Sequence, residues 1–317
     1  MRQSTFVFWG TLPQTVLWLT LALIPLYLSL YCVGRKASTA FTTFWTTAAV
    51  LSFATIPYAV PTRCPQLDII LRLACGTAIM KALDIYFRRK KPPVLNWPAT
   101  PSVYAFYLLV ELRYESFDIS TARVRPAHYN ETKECLIHLA IFIFLQCLPQ
   151  VPVVKALGVL VAIWLIWTLM HHVLRYRNSS ALFGPLYRSR NLSQFWSETW
   201  HNAYTSPIRT LGYRPMRRIF GPMGGVIGGF ALMGLFHMWS FAPYLNPMGL
   251  FRVGLFFLAN GVGCVLDYGI WKNRNTPLRV VANWMFELFW SQYTVRECKV
   301  PDGIVAIDYK NICRTKV

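Results

Sequence analysis

The chain has 317 residues, of which 55% are hydrophobic and 15% aromatic, while only 14% are charged. Soluble domains carry about 25% charged residues, so this chain has too few polar side chains to cover a water-facing surface. Mean hydropathy is +0.36, and Lys and Arg number 32 against 13 Asp and Glu, a net charge of +19. The combination argues against a soluble enzyme, a disordered chain or a secreted disulfide scaffold, and leaves a membrane protein or a nucleic-acid binder.

A helix needs roughly 20 mostly apolar residues to cross a bilayer. The first runs of that kind are 12–33 and 41–60, both uncharged. The first exceeds a signal-peptide core and is followed by Arg35-Lys36, so it is expected to remain as a membrane helix. A third run, 67–87, carries Arg72, Lys81 and Asp84 and stops at Arg88-Arg89-Lys90-Lys91. Residues 104–110 are apolar but too short to cross, and read as an interfacial or re-entrant piece. Runs 135–148 and 151–174 are separated by Pro149-Gln150-Val151-Pro152, which predicts a tight hairpin. Three more follow at 219–241, 249–270 and 278–295. The sequence therefore predicts an all-α, polytopic membrane protein, a single membrane domain over 1–317 with about eight spans, seven to nine, and added interfacial helices.

Charge sets the sidedness. With the odd-numbered loops placed in the cytosol, 21 of the 32 basic residues fall on that side and seven on the other, the remaining four lying within or at the edges of spans. This threefold bias fits the positive-inside rule and expects both termini in a lumen, that of the endoplasmic reticulum. It also removes the nucleic-acid reading, because the bases line one side of a membrane. No C-x-x-C pair occurs among the eight cysteines, so neither a zinc site nor a disulfide framework is expected. No His cluster beyond His171-His172 suggests iron, no Asp-rich segment suggests Mg-diphosphate, and no phosphate loop or G-x-S-x-G elbow is present. The absence of an internal repeat weakens a transporter reading. No metal and no bound cofactor are expected.

Two segments stand out. In Asn-Leu-Ser-Gln-Phe-Trp-Ser-Glu-Thr-Trp-His-Asn-Ala-Tyr (191–204), Ser193 reads as an N-cap, with Trp196 and Trp200 four apart on one helical face. His201 and Asn202 point away from that stripe. Arg209, Arg214, Arg217 and Arg218 follow. Taken alone this is an interfacial amphipathic helix facing lipid phosphates. In 221–239, Gly224/Gly228 and Gly225/Gly229 form two small-x-x-x-small pairs that let another helix approach, and His237 sits on the same apolar helix. An imidazole within a span is a functional-site signal, with an interhelical hydrogen bond as the bland alternative.

Phe195-Trp196-x-x-x-Trp200-His201, followed by Gly234-Leu235-Phe236-His237 in an apolar helix, resembles the wax-synthase-like branch of the membrane-bound O-acyltransferase family. The opening Leu192-Ser193-Gln194, the linking stretch 209–215 and Phe256-Phe257-Leu258-Ala259-Asn260-Gly261-Val262-Gly263 resemble that branch as well. The resemblance covers 180–272 as the catalytic region and extends to shorter fungal members similar to terpenoid and meroterpenoid acetyltransferases. Ser197-Glu198-Thr199 stands where the family often has Gly-Arg-Arg, and Met238-Trp239 follows His237 where plant wax synthases have Glu-Leu.

The resemblance implies a helical bundle around a buried tunnel and acyl transfer, most simply acetyl, from acyl-CoA to a hydroxyl of a lipophilic alcohol. His237 would be the general base, and His201 or Asn202 the second polar group. Trp196 and Trp200 would line the substrate path, and Arg209, Arg214, Arg217 and Arg218 would meet CoA phosphates or anionic lipid. A long-chain-alcohol O-fatty-acyltransferase is the alternative within this class. A transporter using Arg72, Lys81, Asp84, His237 and Asp267 is the alternative outside it. Asp84 and Glu287 are expected to pair with a nearby base such as Lys81 or Arg88, and Asp267 is not expected to partner His237. His128, His138, His171 and His172 read as interfacial or structural. Sequons at Asn130, Asn178 and Asn191 fall in cytosolic loops and are expected to stay unglycosylated.

Overall fold

The computed structural model describes residues 3–60, 64–93, 99–111, 129–174, 181–200, 203–272, 274 and 276–296. Its long elements are all helices: α1 (Gln3–Gly34), α2 (Thr39–Ala59), α3 (Pro65–Phe87), α4 (Pro101–Val110), α5 (Glu131–Cys147), α6 (Pro152–Leu174), α7 (Arg214–Phe241), α8 (Pro247–Trp271) and α9 (Pro277–Val295). Among the described residues there is no strand. Among the described residues five stretches are long and apolar enough to cross a bilayer: Leu12–Gly34, Thr39–Ala59, Pro152–Val173, Thr205–Phe241 and Pro247–Trp271. The other expected spans coincide with α3, α5 and α9. Of these, α3 and α9 carry buried charge, and α5 has only 17 residues. The protein is a polytopic helical membrane protein.

Helix starts follow local chemistry. Ser38 Oγ accepts the Phe41 N–H at the head of α2, and Asn130 Oδ1 accepts the Lys133 N–H at the head of α5. Thr276 does the same for Arg279 N–H, with Pro277 at the first position of α9.

The described residues fall into two compact units, one within 3–109 and 235–251, the other within 110–234 and 252–296. In the first, α1, α2 and α3 pack on one another. Ser29 and Thr46 share a buried 2.7 Å hydroxyl bond between α1 and α2, and Leu30, Ala49 and Phe53 fill the interior. The short α4 is anchored at both ends. Tyr104 lies so close to Gly34 that a Cβ there would sit 2.8 Å from its ring. Lys81 Nζ donates to Leu108 O at 2.8 Å and Leu109 O at 3.3 Å, meeting the open carbonyls and negative pole of that helix end. Lys81 thus serves a helix terminus, while Asp84 pairs with Arg88 at 3.7 Å.

In the second unit, α5 and α6 form the expected hairpin, and α9 packs on α6. Gln150 closes the turn by donating to Leu145 O and Leu148 O, both at 2.9 Å. His138 and His171 are fully buried, which places them among the structural histidines and away from the interface. His171 Nε2 lies 3.2 Å from Glu111 Oε1. His138 stacks on Trp164 with ring centroids 3.8 Å apart. His128 and Asn178 lie outside the described residues.

Candidate functional site

The Trp-rich segment departs from a regular amphipathic helix. Asn191, and not Ser193, is the cap: its Oδ1 accepts the Gln194 N–H at 2.8 Å, while Gln194 Oε1 takes the Arg190 N–H at 2.9 Å. This reciprocal pair leaves Ser193 exposed. After one α turn (Leu192–Gln194) the chain widens into a π turn (Phe195–Thr199), and Trp200 N–H closes it on Phe195 O at 2.7 Å. Such π turns are frequent at functional sites. The wider turn changes the aromatic geometry. Phe195 and Trp200 stack at 5.8 Å, and Trp196 meets Trp200 edge-on at 6.3 Å.

The loop before the segment holds it from behind. Gly184 N–H donates to Thr199 O at 2.8 Å, and Gly184 O accepts from Trp164 Nε1 at 3.0 Å. Leu186 N–H donates to His138 Nε2 at 3.4 Å, and the opposite ring nitrogen of His138 lies 2.8 Å from Glu134 O. An Nε2 that accepts and an Nδ1 that donates define a neutral imidazole. Tyr129 adds a hydroxyl bond to Phe183 O at 2.8 Å. Tyr187 donates to Glu134 Oε2 at 3.0 Å, and burial together with that acceptor pushes its phenol above the usual range.

Trp196 points into α7, α8 and α9. Its ring meets Phe230, Phe256 and Phe257 at 5.4, 6.0 and 6.2 Å. Its N–H donates to Asn260 Oδ1 at 3.0 Å, and Asn260 Nδ2 bonds Phe256 O. Asn260 is fully buried. From it a polar seam runs along α8 (Asn260, Cys264, Asp267) and α9 (Glu287, Asn283, Arg279), all six side chains buried. Asp267 takes both Arg279 Nε at 2.8 Å and Nη2 at 2.6 Å, plus Asn283 Nδ2 at 3.2 Å. Asp267 is therefore a structural acid. Glu287 departs from the expected pairing with a base, because it faces Trp196. The spacing of 279, 283 and 287 at i, i+4, i+8 was the available signal for this seam.

The glycine stripe of α7 receives its own upstream segment. Ile208–Tyr213 forms a second π turn, and a Cβ on Gly212 would lie 2.7 Å from Gly228 O. Gly228 abuts Met216, Gly225 abuts Tyr213, and Gly229 abuts Ile208. Gly221, at φ 71° and ψ −171°, breaks the helix in a conformation open to glycine, with Pro222 next. Residues 214–220 thus form an arm ahead of the apolar span. Arg209, Arg214, Arg217 and Arg218 are all exposed, as are Ile219 and Phe220.

His237 lies in the first unit, half-buried near the end of α7. The aromatic side chains around it fix that end. Phe236 and Phe241 flank the imidazole at 5.1 and 6.3 Å. Phe236 and Trp239 press on Gly76 of α3, where a Cβ would come within 2.6 and 3.1 Å of them. Trp239 Nε1 donates to Tyr58 OH at 3.3 Å. The Arg72 guanidinium lies 5.0 Å from the Tyr58 ring and 5.6 Å from that of Trp239, with Asp68 beside it at 3.3 Å. The motif candidates His201 and Asn202 lie outside the described residues. Among those described, no group of three His, Cys, Asp or Glu could hold a metal.

These elements define a helical membrane protein with an imidazole in an apolar helix and an aromatic, arginine-flanked motif. Residues 179–259 match the sequence profile of the Membrane bound O-acyl transferase family. Over 123 residues the chain is 28% identical to "Probable long-chain-alcohol O-fatty-acyltransferase 7" of Arabidopsis thaliana, covering 35% of this chain and 36% of that protein. The similarity thus spans about a third of the length of that curated relative. No solved structure matches.

Proposed function

We propose that this protein is a membrane-bound O-acyltransferase that moves an acyl group from acyl-CoA to a hydroxyl of a lipophilic alcohol. The observation that carries the reading is the family match over 179–259, the stretch that contains the Trp-rich turn and leads into the helix of His237. His237 takes the alcohol proton as the oxygen attacks the thioester carbonyl and the new C–O bond forms. The tetrahedral intermediate then collapses, the C–S bond breaks, and the imidazolium returns the proton to the leaving CoA thiolate. Ester and free CoA result. Imidazole suits this exchange because its ordinary pKa, about 6.5, lies near cytosolic pH. His201 or Asn202 is assigned to the developing oxyanion. Trp196 and Trp200 are assigned to the substrate path, and the exposed Arg209, Arg214, Arg217 and Arg218 to the CoA phosphates.

Two acyl classes are carried forward. An acetyl donor with a terpenoid or meroterpenoid alcohol follows from the resemblance of 180–272 to fungal acetyltransferases. A long-chain acyl donor with a fatty alcohol is favoured by the name of the Arabidopsis relative. Transport is disfavoured because Arg72, Lys81, Asp84 and Asp267 each bind internal partners. Membranes carrying the protein are assayed with labelled acetyl-CoA or palmitoyl-CoA against a hydroxylated terpenoid or hexadecanol. The donor that turns over selects the class. His237→Ala should lower turnover by about 10²–10⁴-fold, the usual contribution of a general base. Full activity in that variant removes His237 from the mechanism, while solute flux without acyl transfer in vesicles replaces the reading with transport.

A further inference from the structure

Glu287 is out of keeping with its surroundings. It lies on α9 with 6% of its surface exposed, and its Oε1 has no hydrogen-bond partner. Among the described residues no Lys, Arg or His forms an ion pair with it, and Arg279, two turns back on the same helix, is engaged by Asp267. A buried carboxyl without such support destabilises the fold relative to an apolar residue of similar volume. An acid retained in an apolar helix at that cost marks a functional position. Its neighbour supplies the reason. The Trp196 indole N–H, held by Asn260 Oδ1 at 3.0 Å, also faces the Glu287 carboxyl. The α8–α9 contact is tight here, since Phe286 reaches to where a Cβ of Gly263 would stand, 2.7 Å away.

We propose that Glu287 is a positioning residue for the Trp-rich turn: its buried carboxyl, beside the Trp196 indole that Asn260 Oδ1 holds, keeps that ring, and through it the π turn that precedes His201 and Asn202, in place. This rests on the acyltransferase reading for its effect on turnover, but the anchoring itself is independent of that reading. A carboxyl beside the indole disfavours ring orientations that turn the N–H edge away from Asn260. Losing the carboxyl leaves the indole free to follow Asn260 alone, and small misplacements next to a reacting group cost rate more than affinity.

The test uses the full chain in detergent, with Glu287→Gln, Glu287→Leu, Trp196→Phe and the Trp196→Phe/Glu287→Leu double variant. Gln retains an acceptor oxygen and should keep about half or more of wild-type kcat with an unchanged pH profile. Leu should lose about tenfold or more in kcat while KM for the acyl donor stays within about twofold. Trp196→Phe should lose a similar factor, and the double variant should lose no more than either single one. Wild-type kcat in Glu287→Leu overturns the proposal. So does a Gln variant as inactive as Leu, which would make the carboxyl a proton carrier. Thermal unfolding of the same four proteins serves where the wild type turns over no acyl-CoA and the acyltransferase reading fails. The two single shifts should then be non-additive, and additive shifts overturn the anchoring. If Glu287→Leu does not fold, the cycle is run with Glu287→Gln and Glu287→Ala.

Discussion

Arg279 grips Asp267 at two points, Nε on Oδ1 at 2.8 Å and Nη2 on Oδ2 at 2.6 Å, in a site where both side chains are almost completely buried. The fork matches the geometry in which guanidinium and carboxylate bind best. Asn283 adds a third donor to Asp267, and Arg279 Nη1 also reaches Arg274 O. The charges lock the start of α9 to the end of α8 where the rest of the contact is apolar. Removing one partner strands the other, at a cost of about 3–5 kcal/mol. Asp267→Leu and Arg279→Met should each lower the unfolding midpoint sharply in a detergent thermal melt. Their combination should cost less than the sum, because no buried charge is left alone. Additive losses would mean that the pair is not a unit.

The glycine stripe of α7 gives a second expectation. Gly228 sits against Met216 and 2.9 Å from Gly212 O once a Cβ is imagined on it, so Gly228→Val must push backbone. Overpacking of this kind costs about 1–3 kcal/mol. Gly269 on α8 has nothing within 4 Å of such a Cβ, and Gly269→Ala should be neutral or mildly stabilising, since alanine is the better helix former. Melting both variants side by side checks the claim, and equal behaviour would remove the close approach of Ile208–Tyr213 to α7.

Much of the helical outline was legible, because long apolar runs and Pro149–Pro152 report burial and a turn directly. The site was less so. The sequence makes Ser193 as good a cap as Asn191, and only the Gln194 side chain, reaching back to Arg190 N–H, decides between them. The π turn at Phe195–Thr199 depends on Gly184 binding Thr199 O, a contact across fifteen residues that no local pattern encodes. The small-x-x-x-small pairs correctly marked a close approach, but periodicity does not say whose backbone arrives, and here it is the preceding turn. His171 with Glu111 is a partnership of the same long-range kind.

His138 provides a third prediction. Its ring keeps Leu186 N–H and Glu134 O satisfied while stacking on Trp164. His138→Phe preserves the stack and deletes both bonds, leaving a buried N–H unpaired at about 1–3 kcal/mol. Arg188 and Arg190 are exposed on that loop. Limited trypsin digestion should cut there faster in the variant, in line with the lower cost of local opening. An unchanged cleavage rate would show that Pro185 and the Tyr129 and Trp164 bonds hold the loop without the imidazole.

Sidedness yields the last prediction. From the threefold charge bias, 175–218 and 88–134 are expected in the cytosol and the stretch before α3 on the opposite side. Cys64, in that stretch, is disulfide-bonded, whereas Cys32, Cys75, Cys135, Cys147 and Cys264 are free thiols. Asn130 and Asn191, two of the three sequons, fall on the side that the charge bias assigns to the cytosol, and each uses its side-chain oxygen to cap a helix. Glycosidase treatment of protein from microsomes should therefore leave its mobility unchanged. In parallel, a membrane-impermeant maleimide applied to sealed microsomes should label a cysteine substituted at the exposed Arg190 but not one placed next to Cys64 at Gln66. Glycan on Asn130 or Asn191, or the reverse labelling pattern, would invert the topology and overturn the proposed access of the arginine arm to cytosolic CoA.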